Sequence, residues 1–271
     1  MRLADQYDGF LVDLDGVVWL GHDMLPGAVE TLGELKKSGK PVAFVTNSPR
    51  LSPAEHAEVL RGNGIEVGDD RVVTAGSALI AIALERFGSQ PKAIATGTDS
   101  FLGQLAAAGI VLLAHSDWEQ AEVVLVSGHA GFDYGELKAA SRAARSGALL
   151  AATGRDPTMP MPDGLWPGTG SILAAIETAS GATGLIAGKP EARIFEAGLE
   201  AIAVTRDSSG LVSSATGSPM RVAMLGDRAD TDVAGAQAAG IEGILVGDGE
   251  DPAIEPEHVI PDLAGLLSPL G

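Results

Sequence analysis

No cysteine occurs among the 271 residues. Disulfides, thiolate nucleophiles and Cys-ligated zinc or iron–sulfur centres are therefore excluded. Positive charge is also scarce: 18 Lys and Arg stand against 36 Asp and Glu, a formal net charge of −18. That balance weighs against nonspecific nucleic-acid binding, which needs a basic face, and against docking on anionic lipid. An anionic ligand can be held only where a local cation or a helix N-terminus offsets the field of the chain. Aromatic residues are few, with three Trp, two Tyr and six Phe, and they form no base-stacking stripe. The five histidines (His22, His56, His115, His129, His258) have no zinc-type spacing. No apolar run approaches the about 18 residues that a membrane span needs. MRLADQYDGF offers no signal-peptide core, so the sequence predicts a soluble, cytoplasmic protein.

What is present is an ordinary globular composition, 45% apolar and 20% charged, with length enough for one large domain or two smaller ones. Short β-type runs alternate with helical ones. GFLVDL (9–14), PVAFVTN (41–47) and RVVTA (71–75) read as strands, and helices fit 26–37, from about 53 to 61, and up to about Phe87. Ser52-Pro53-Ala54-Glu55 is a capping box with proline at the first helical position. A βαβαβα order implies an α/β fold with a parallel sheet covered by helices. The middle repeats the theme with strands at 93–96, 110–114 and 122–127, and helices at 100–108 and 134–145. Residues 147–170 read as a strand followed by a long Pro/Gly-rich loop, and loops of that length inside a compact fold are often functional. The end returns to α/β, with strands at 221–226 and 243–247, helices at 191–203 and 231–239, and an acidic tail.

The stretch FLVDLDGVVWLG (10–21) runs apolar residues into two aspartates. A lone ionised carboxylate in an apolar setting costs several kcal/mol or more. Asp13 and Asp15, two residues apart, point to one side of an extended chain and repel each other unless positive charge sits beside them. Three further clusters fall at or near strand ends: Thr46 and Asn47; Lys189 in AGKPEA; Asp227 and Asp232 in MLGDRADTD. Each alone has an ordinary reading as a turn, a loop residue, a solvated lysine or a helix cap. Ligand sites in open parallel sheets gather at strand C-terminal ends. Taken jointly there, carboxylates suit Mg²⁺, while the hydroxyl, backbone N–H groups and lysine suit phosphate oxygens.

The order and sequence of these pieces resemble the haloacid dehalogenase (HAD) superfamily over nearly the whole chain. DLDGVVWLG is similar to its first motif, VTNS to the second, GKP to the third and GDRADTD to the fourth. The forms of the first and last are similar to the NagD-like or 4-nitrophenylphosphatase group. The resemblance implies a Rossmann-like parallel-sheet core (1–78 plus 184–271) with an inserted α/β cap of the C2 type (79–183). It implies Mg²⁺-dependent hydrolysis of small phosphomonoesters. Asp13 would be the nucleophile, forming an aspartyl-phosphate, and Asp15 the general acid and then base. Mg²⁺ would take oxygens from Asp13, the Asp15 backbone carbonyl and Asp227, with Asp232 as an outer support or a partner of Lys189. Thr46, the Asn47 backbone and Lys189 would hold the phosphoryl oxygens.

The cap motif Thr-Asn-x-Asp of the family corresponds to Thr153-Gly154-Arg155-Asp156, with Gly154 in place of Asn, and a Gly-x-Asp stretch corresponds to Ser127-Gly128-His129. His129, Arg155 and Asp156 are thereby candidates for contacts with the organic part of a substrate. Implied substrates are glycerol 3-phosphate, 2-phosphoglycolate, nucleoside monophosphates or sugar phosphates, with 4-nitrophenyl phosphate as an artificial one. A homodimer is the implied assembly. Two other readings share these residues. A phospho-aspartate receiver also uses Asp, Thr or Ser, Lys and Mg²⁺, but is about half as long and has no acid/base at the position of Asp15. A catalytically silent member of the superfamily would bind without turnover.

Overall fold

The computed structural model describes residues 1–21, 23–161, 164–206, 212–214, 217–249 and 251–269, so His22 lies outside the described residues. Contacts divide the chain into two units. The first comprises residues 1–46, 53–73 and 189–271, and the second 47–52 and 74–188. The sequence boundaries fall at 78/79 and 183/184. The contact boundaries fall at 73/74 and 188/189, because the helix after residue 74 and the short strand before residue 187 both pack within the second unit.

In chain order the sheet strands are β1 (Gly9–Val12), β2 (Val42–Thr46), β3 (Val72–Thr74), β4 (Lys92–Thr96), β5 (Val111–Leu112), β6 (Val123–Val126), β7 (Leu149–Ala152), β8 (Leu185–Ile186), β9 (Val222–Gly226), β10 (Glu242–Val246) and β11 (His258–Ile260). The helices are α1 (Ala28–Lys37), α2 (Pro53–Gly62), α3 (Ala75–Phe87), α4 (Asp99–Ala107), α5 (Tyr134–Arg145), α6 (Thr169–Ser180), α7 (Ala192–Ala201) and α8 (Ala234–Ala238).

The six-stranded sheet of the first unit has the order β11-β10-β9-β1-β2-β3. β1 pairs in parallel with β9 and with β2, and β10 pairs in parallel with β9 and with β11. β1, β9 and most of β2 and β10 are buried, as expected of strands covered on both faces. β1 is the strand from which the order departs in both directions, so the C-terminal ends of β1 and β9 flank the topological switch point. α7 lies flush on this sheet. A Cβ on Gly198 would come within 2.9 Å of Val45 and 3.1 Å of Leu11, so only glycine lets the helix approach so closely. Ile194, Phe195 and Leu199 of the same helix are also buried.

The second unit has a five-stranded sheet of order β8-β7-β6-β4-β5, with parallel pairs throughout. Its core joins Val124, Val126, Leu150 and Ile94 of the sheet to Ala139, Ala140 and Ala143 of α5 and Leu173 and Ile176 of α6. α5 spans the predicted 134–145, and Asp133 closes its N-terminus as a capping box with Glu136.

Three features depart from the sequence reading. The Pro/Gly-rich stretch after β7 holds an antiparallel hairpin, Thr158–Met161 with Gly164–Pro167. Proline argues against strands because it removes a ladder donor. It is tolerated here because the hairpin is two-stranded and every strand is an edge. The acidic tail contributes β11, the outer strand of the first sheet. The helix predicted over 231–239 starts as a π-helical turn, Ala229–Val233, before α8. No helix among the described residues is long and apolar enough to cross a membrane.

Candidate active site

Asp13 follows the last residue of β1, and its N–H donates to the carbonyl of Leu225 in β9 at 2.8 Å. The β1–β9 ladder therefore continues to the aspartate and holds it rigidly. Asp227 follows the last residue of β9 in the same way. Parallel pairing of Val12 with Leu225 brings the two strand exits side by side, although the residues are more than 200 positions apart in sequence. Thr46 ends β2 and is buried, two residues beyond the registered pair Val12–Phe44.

Lys189 precedes α7, and the seating of that helix on the sheet carries its ammonium into the cluster. Lys189 Nζ lies 2.7 Å from Asp13 Oδ1 and 2.6 Å from Asp232 Oδ1. Asp13 is 7% exposed, Lys189 5% and Asp232 1%. The carboxylates of Asp13, Asp227 and Asp232 each offer an oxygen within 4.8 Å of the others. The π-helical turn orients Asp232: the Arg228 N–H donates to its Oδ2 at 3.1 Å while Oδ1 meets Lys189. π-turns recur at functional sites because the extra residue re-aims a side chain.

Two glycines make room for this packing. Gly16 has φ of +81°, and a Cβ there would sit 2.1 Å from Asp227 Oδ2. On Gly226 a Cβ would sit 2.1 Å from that of Asp232. The Asp-x-Asp-Gly sequence thus has a second reason for its glycine, besides the left-handed turn.

The electrostatics follow from burial. Desolvation lifts the Asp13 carboxyl to about 7, with the Lys189 charge pulling it down and Asp232 pushing it up. Burial, then repulsion from Asp232, also raises Asp227. Burial alone would lower Lys189, but the charges of Asp13 and Asp232 and their hydrogen bonds outweigh it and raise the ammonium above its usual value. Three carboxylates against one ammonium leave a surplus of negative charge at a buried point. A hard-oxygen donor set of that kind fits a divalent cation such as Mg²⁺.

Asp15 is half-buried. Its Oδ1 accepts a hydrogen bond from Trp19 Nε1 at 3.2 Å. Sequence reasoning gave Trp19 no part in the site. Its place four residues after Asp15 in the same motif does not by itself say where the ring points.

In the second unit, Asn47 Oδ1 lies against Gly188, where a Cβ would come within 2.6 Å of it. His129 Nε2 lies 3.1 Å from Glu136 Oε1 on α5. Arg155 makes a two-point pair with Glu177 on α6, at 2.9 and 3.0 Å, and donates to the Gly184 carbonyl at 3.2 Å. Asp156 is half-buried, and its backbone carbonyl accepts from the Gly170 N–H at 2.9 Å.

Known proteins resemble this chain in sequence and fold. The family description "haloacid dehalogenase-like hydrolase" matches residues 10–111, and a second, HAD-hydrolase-like, matches residues 186–266. A D-glycerol 3-phosphate phosphatase of Mycobacterium tuberculosis is 32% identical over 260 residues, covering 96% of this chain and 68% of that protein. The crystal structure of a 4-nitrophenylphosphatase from Thermotoga maritima superposes with a TM-score of 0.83 at 33% identity, covering 98% of both chains. A glycerol phosphate phosphatase of M. tuberculosis crystallised with magnesium has a TM-score of 0.82 at 29% identity, over 98% of this chain and 78% of that one. With Asp13, Lys189, Asp227 and Asp232 already assembled on one sheet rim, the chain belongs to the haloacid dehalogenase-like hydrolases, among their phosphomonoester phosphatases.

Proposed function

We propose that the protein is a Mg²⁺-dependent phosphatase of small phosphomonoesters that works through an aspartyl-phosphate on Asp13. The observation that carries this is the Lys189 ammonium shared between Asp13 and Asp232, with Asp227 beside them. In the first step an Asp13 carboxylate oxygen attacks phosphorus, the bond from phosphorus to the ester oxygen breaks, and Asp15 gives its proton to the departing alkoxide. In the second, Asp15 takes a proton from water as that water attacks phosphorus. Inorganic phosphate leaves and Asp13 is again a free carboxylate.

Lys189 neutralises charge on Asp13 and on the phosphoryl oxygens, and Asp232 holds the lysine in place. Thr46 and the Asn47 backbone are assigned to the phosphoryl oxygens. Asp13, the Asp15 carbonyl and Asp227 would hold Mg²⁺, which supplies positive charge to the phosphoryl group and offsets the carboxylate repulsion. The relatives that act on glycerol 3-phosphate support an alkyl phosphate as the natural class. His129 and Asp156 are assigned to selection of its organic part; Arg155, held by Glu177 and the Gly184 carbonyl, is assigned a structural role.

The test is phosphate release from a panel of alkyl, sugar and nucleoside phosphates and 4-nitrophenyl phosphate, with a Mg²⁺ titration and an Asp13→Asn control. Continuous turnover that needs Mg²⁺ and is lost in the variant supports the reading. One equivalent of persistent phosphoprotein with no turnover would point to a receiver instead.

A further inference from the structure

The carboxylate of Asp15 makes one side-chain hydrogen bond among the described residues, and its donor is the Trp19 indole. The indole is itself held from several directions. Trp19 N–H donates to the Leu14 carbonyl at 3.1 Å, and the Trp19 carbonyl accepts from the Gly16 N–H at 2.8 Å. A short hairpin, Trp19–Leu20 with Asp23–Met24, fixes the strand direction. The ring is 6% exposed and stacks on His56 of α2, with centroids 6.1 Å apart and planes within 11°. His56 is buried in turn, at 4% exposure. A rigid, buried aromatic pair thus ends in a single N–H aimed at one oxygen of the half-buried aspartate.

An indole N–H can donate and cannot accept. Bonded to Oδ1, it makes that oxygen the acceptor of the carboxyl group. A proton on Asp15 then resides on Oδ2. We infer that Trp19 is the positioning residue for Asp15: it fixes the carboxyl rotamer and assigns the transferable proton to Oδ2. Trp19 is not among the residues assigned to the phosphoryl group or the metal, and its indole N–H exchanges no proton. The inference rests on the phosphatase reading, in which Asp15 protonates the leaving oxygen.

Leaving-group dependence separates this role from a packing role. An alkoxide needs a proton to depart, whereas 4-nitrophenolate leaves readily without one. The measurement is kcat/KM of Trp19→Phe, Asp15→Asn and the double variant. The esters are 4-nitrophenyl phosphate and glycerol 3-phosphate, or whichever alkyl phosphate of the panel the wild type turns over fastest. Asp15→Asn should lose about 10²–10⁴-fold on the alkyl ester, the range for general acid catalysis. Trp19→Phe should lose about 10-fold on the same ester and under about threefold on the aryl one, a small share of that catalytic range. The double variant should be no slower than Asp15→Asn alone.

Equal losses on both esters, or additive losses in the double variant, overturn the inference and make Trp19 a packing residue. His56→Leu is the second variant should Trp19→Phe not fold; it keeps the N–H but removes the stack, and should show the same ester discrimination in weaker form. Equal losses on both esters in that variant likewise overturn the inference. If the wild type hydrolyses neither ester, the phosphatase reading falls and takes this inference with it. If the wild type turns over both and only the discrimination is missing, this inference falls alone.

Discussion

The two sheets of this protein treat their charged residues differently. In the first unit, Asp13, Lys189, Asp227 and Asp232 turn toward one another at the exits of β1 and β9, and burial raises the carboxyl groups of Asp13 and Asp227. In the second unit, His129 and Arg155, near the exits of β6 and β7, turn to Glu136 and Glu177 on the flanking helices. One set is held together at a cost in desolvation that only a ligand or function repays. The other is locally satisfied, each side chain paired with a carboxylate on a helix of the same unit. Burial with incomplete charge balance therefore marks the reactive region more sharply than the presence of charged side chains does.

The contrast can be broken most directly at Asp13. Asp13→Asn should reduce phosphate release to background, since the proposed nucleophile is gone; any multiple-turnover activity in a metal-replete assay would place the chemistry elsewhere. Lys189→Met comes next, with an expected loss of about 10²–10³-fold in kcat, as for other preorganised charge-stabilising groups. It should also destabilise the metal-free protein by about 3–5 kcal/mol, because it leaves Asp13 and Asp232 buried without their cation. A variant with wild-type kcat and melting temperature would mean the lysine is a bystander.

Gly16→Ala sharpens the comparison by geometry alone. The added methyl meets the Asp227 carboxylate and φ is unfavourable for a side chain. Mg²⁺ affinity, read by activity against metal concentration, should weaken by about 10–100-fold, the range for disturbed metal surroundings. Unchanged metal dependence would show that Asp227 can shift freely.

Stability against pH gives a further test. Burial lifts Asp13 to about 7, above its ordinary 3.8. Between those values the folded, metal-free chain holds a proton that the unfolded chain has lost, so this group makes stability fall as pH rises from about 4 to 7. Asp227, also raised, adds in the same direction. Thermal unfolding in chelator at pH 5 and pH 8 should show the metal-free wild type losing stability with pH, and Asp13→Asn losing less. Identical slopes would mean that solvent reaches Asp13 in the folded state. The smallest effect is expected in the second unit. Arg155→Ala should leave kcat within about threefold, since the guanidinium is committed to an exposed pair, and cost about 0.2–1 kcal/mol in stability. A large rise in KM would instead move Arg155 among the substrate contacts.

Much of the fold was legible because period and punctuation agree. The sequence reading of α5 over 134–145 matches its bounds, and β1, β2 and β9 are legible from apolar runs ending in turn signals. The hairpin after β7 and the outer strand β11 were not. Proline in one, and an acidic context in the other, argue against strands wherever a neighbouring strand is not already known. Within the site, Asp13, Asp15, Lys189, Asp227 and Asp232 stand out by residue type and position. The Trp19–Asp15 bond does not, because a tryptophan four residues from an aspartate carries no directional signal until a hairpin and a stacked histidine fix its ring.

By itself the sequence determined the α/β alternation, the exclusion of thiol chemistry, a charge balance that weighs against nonspecific nucleic-acid binding, and the carboxylate, hydroxyl and lysine inventory of a phosphoryl-transfer site. These are properties of composition and short spacing, which the chain carries in any conformation. Only the tertiary structure decided that β9 lies beside β1, that a π-turn aims Asp232 at Lys189, and that Gly16 yields its space to Asp227. Parallel pairing between strands some two hundred residues apart is set by how the sheet buries its apolar faces as a whole, and no local stretch of the chain encodes it.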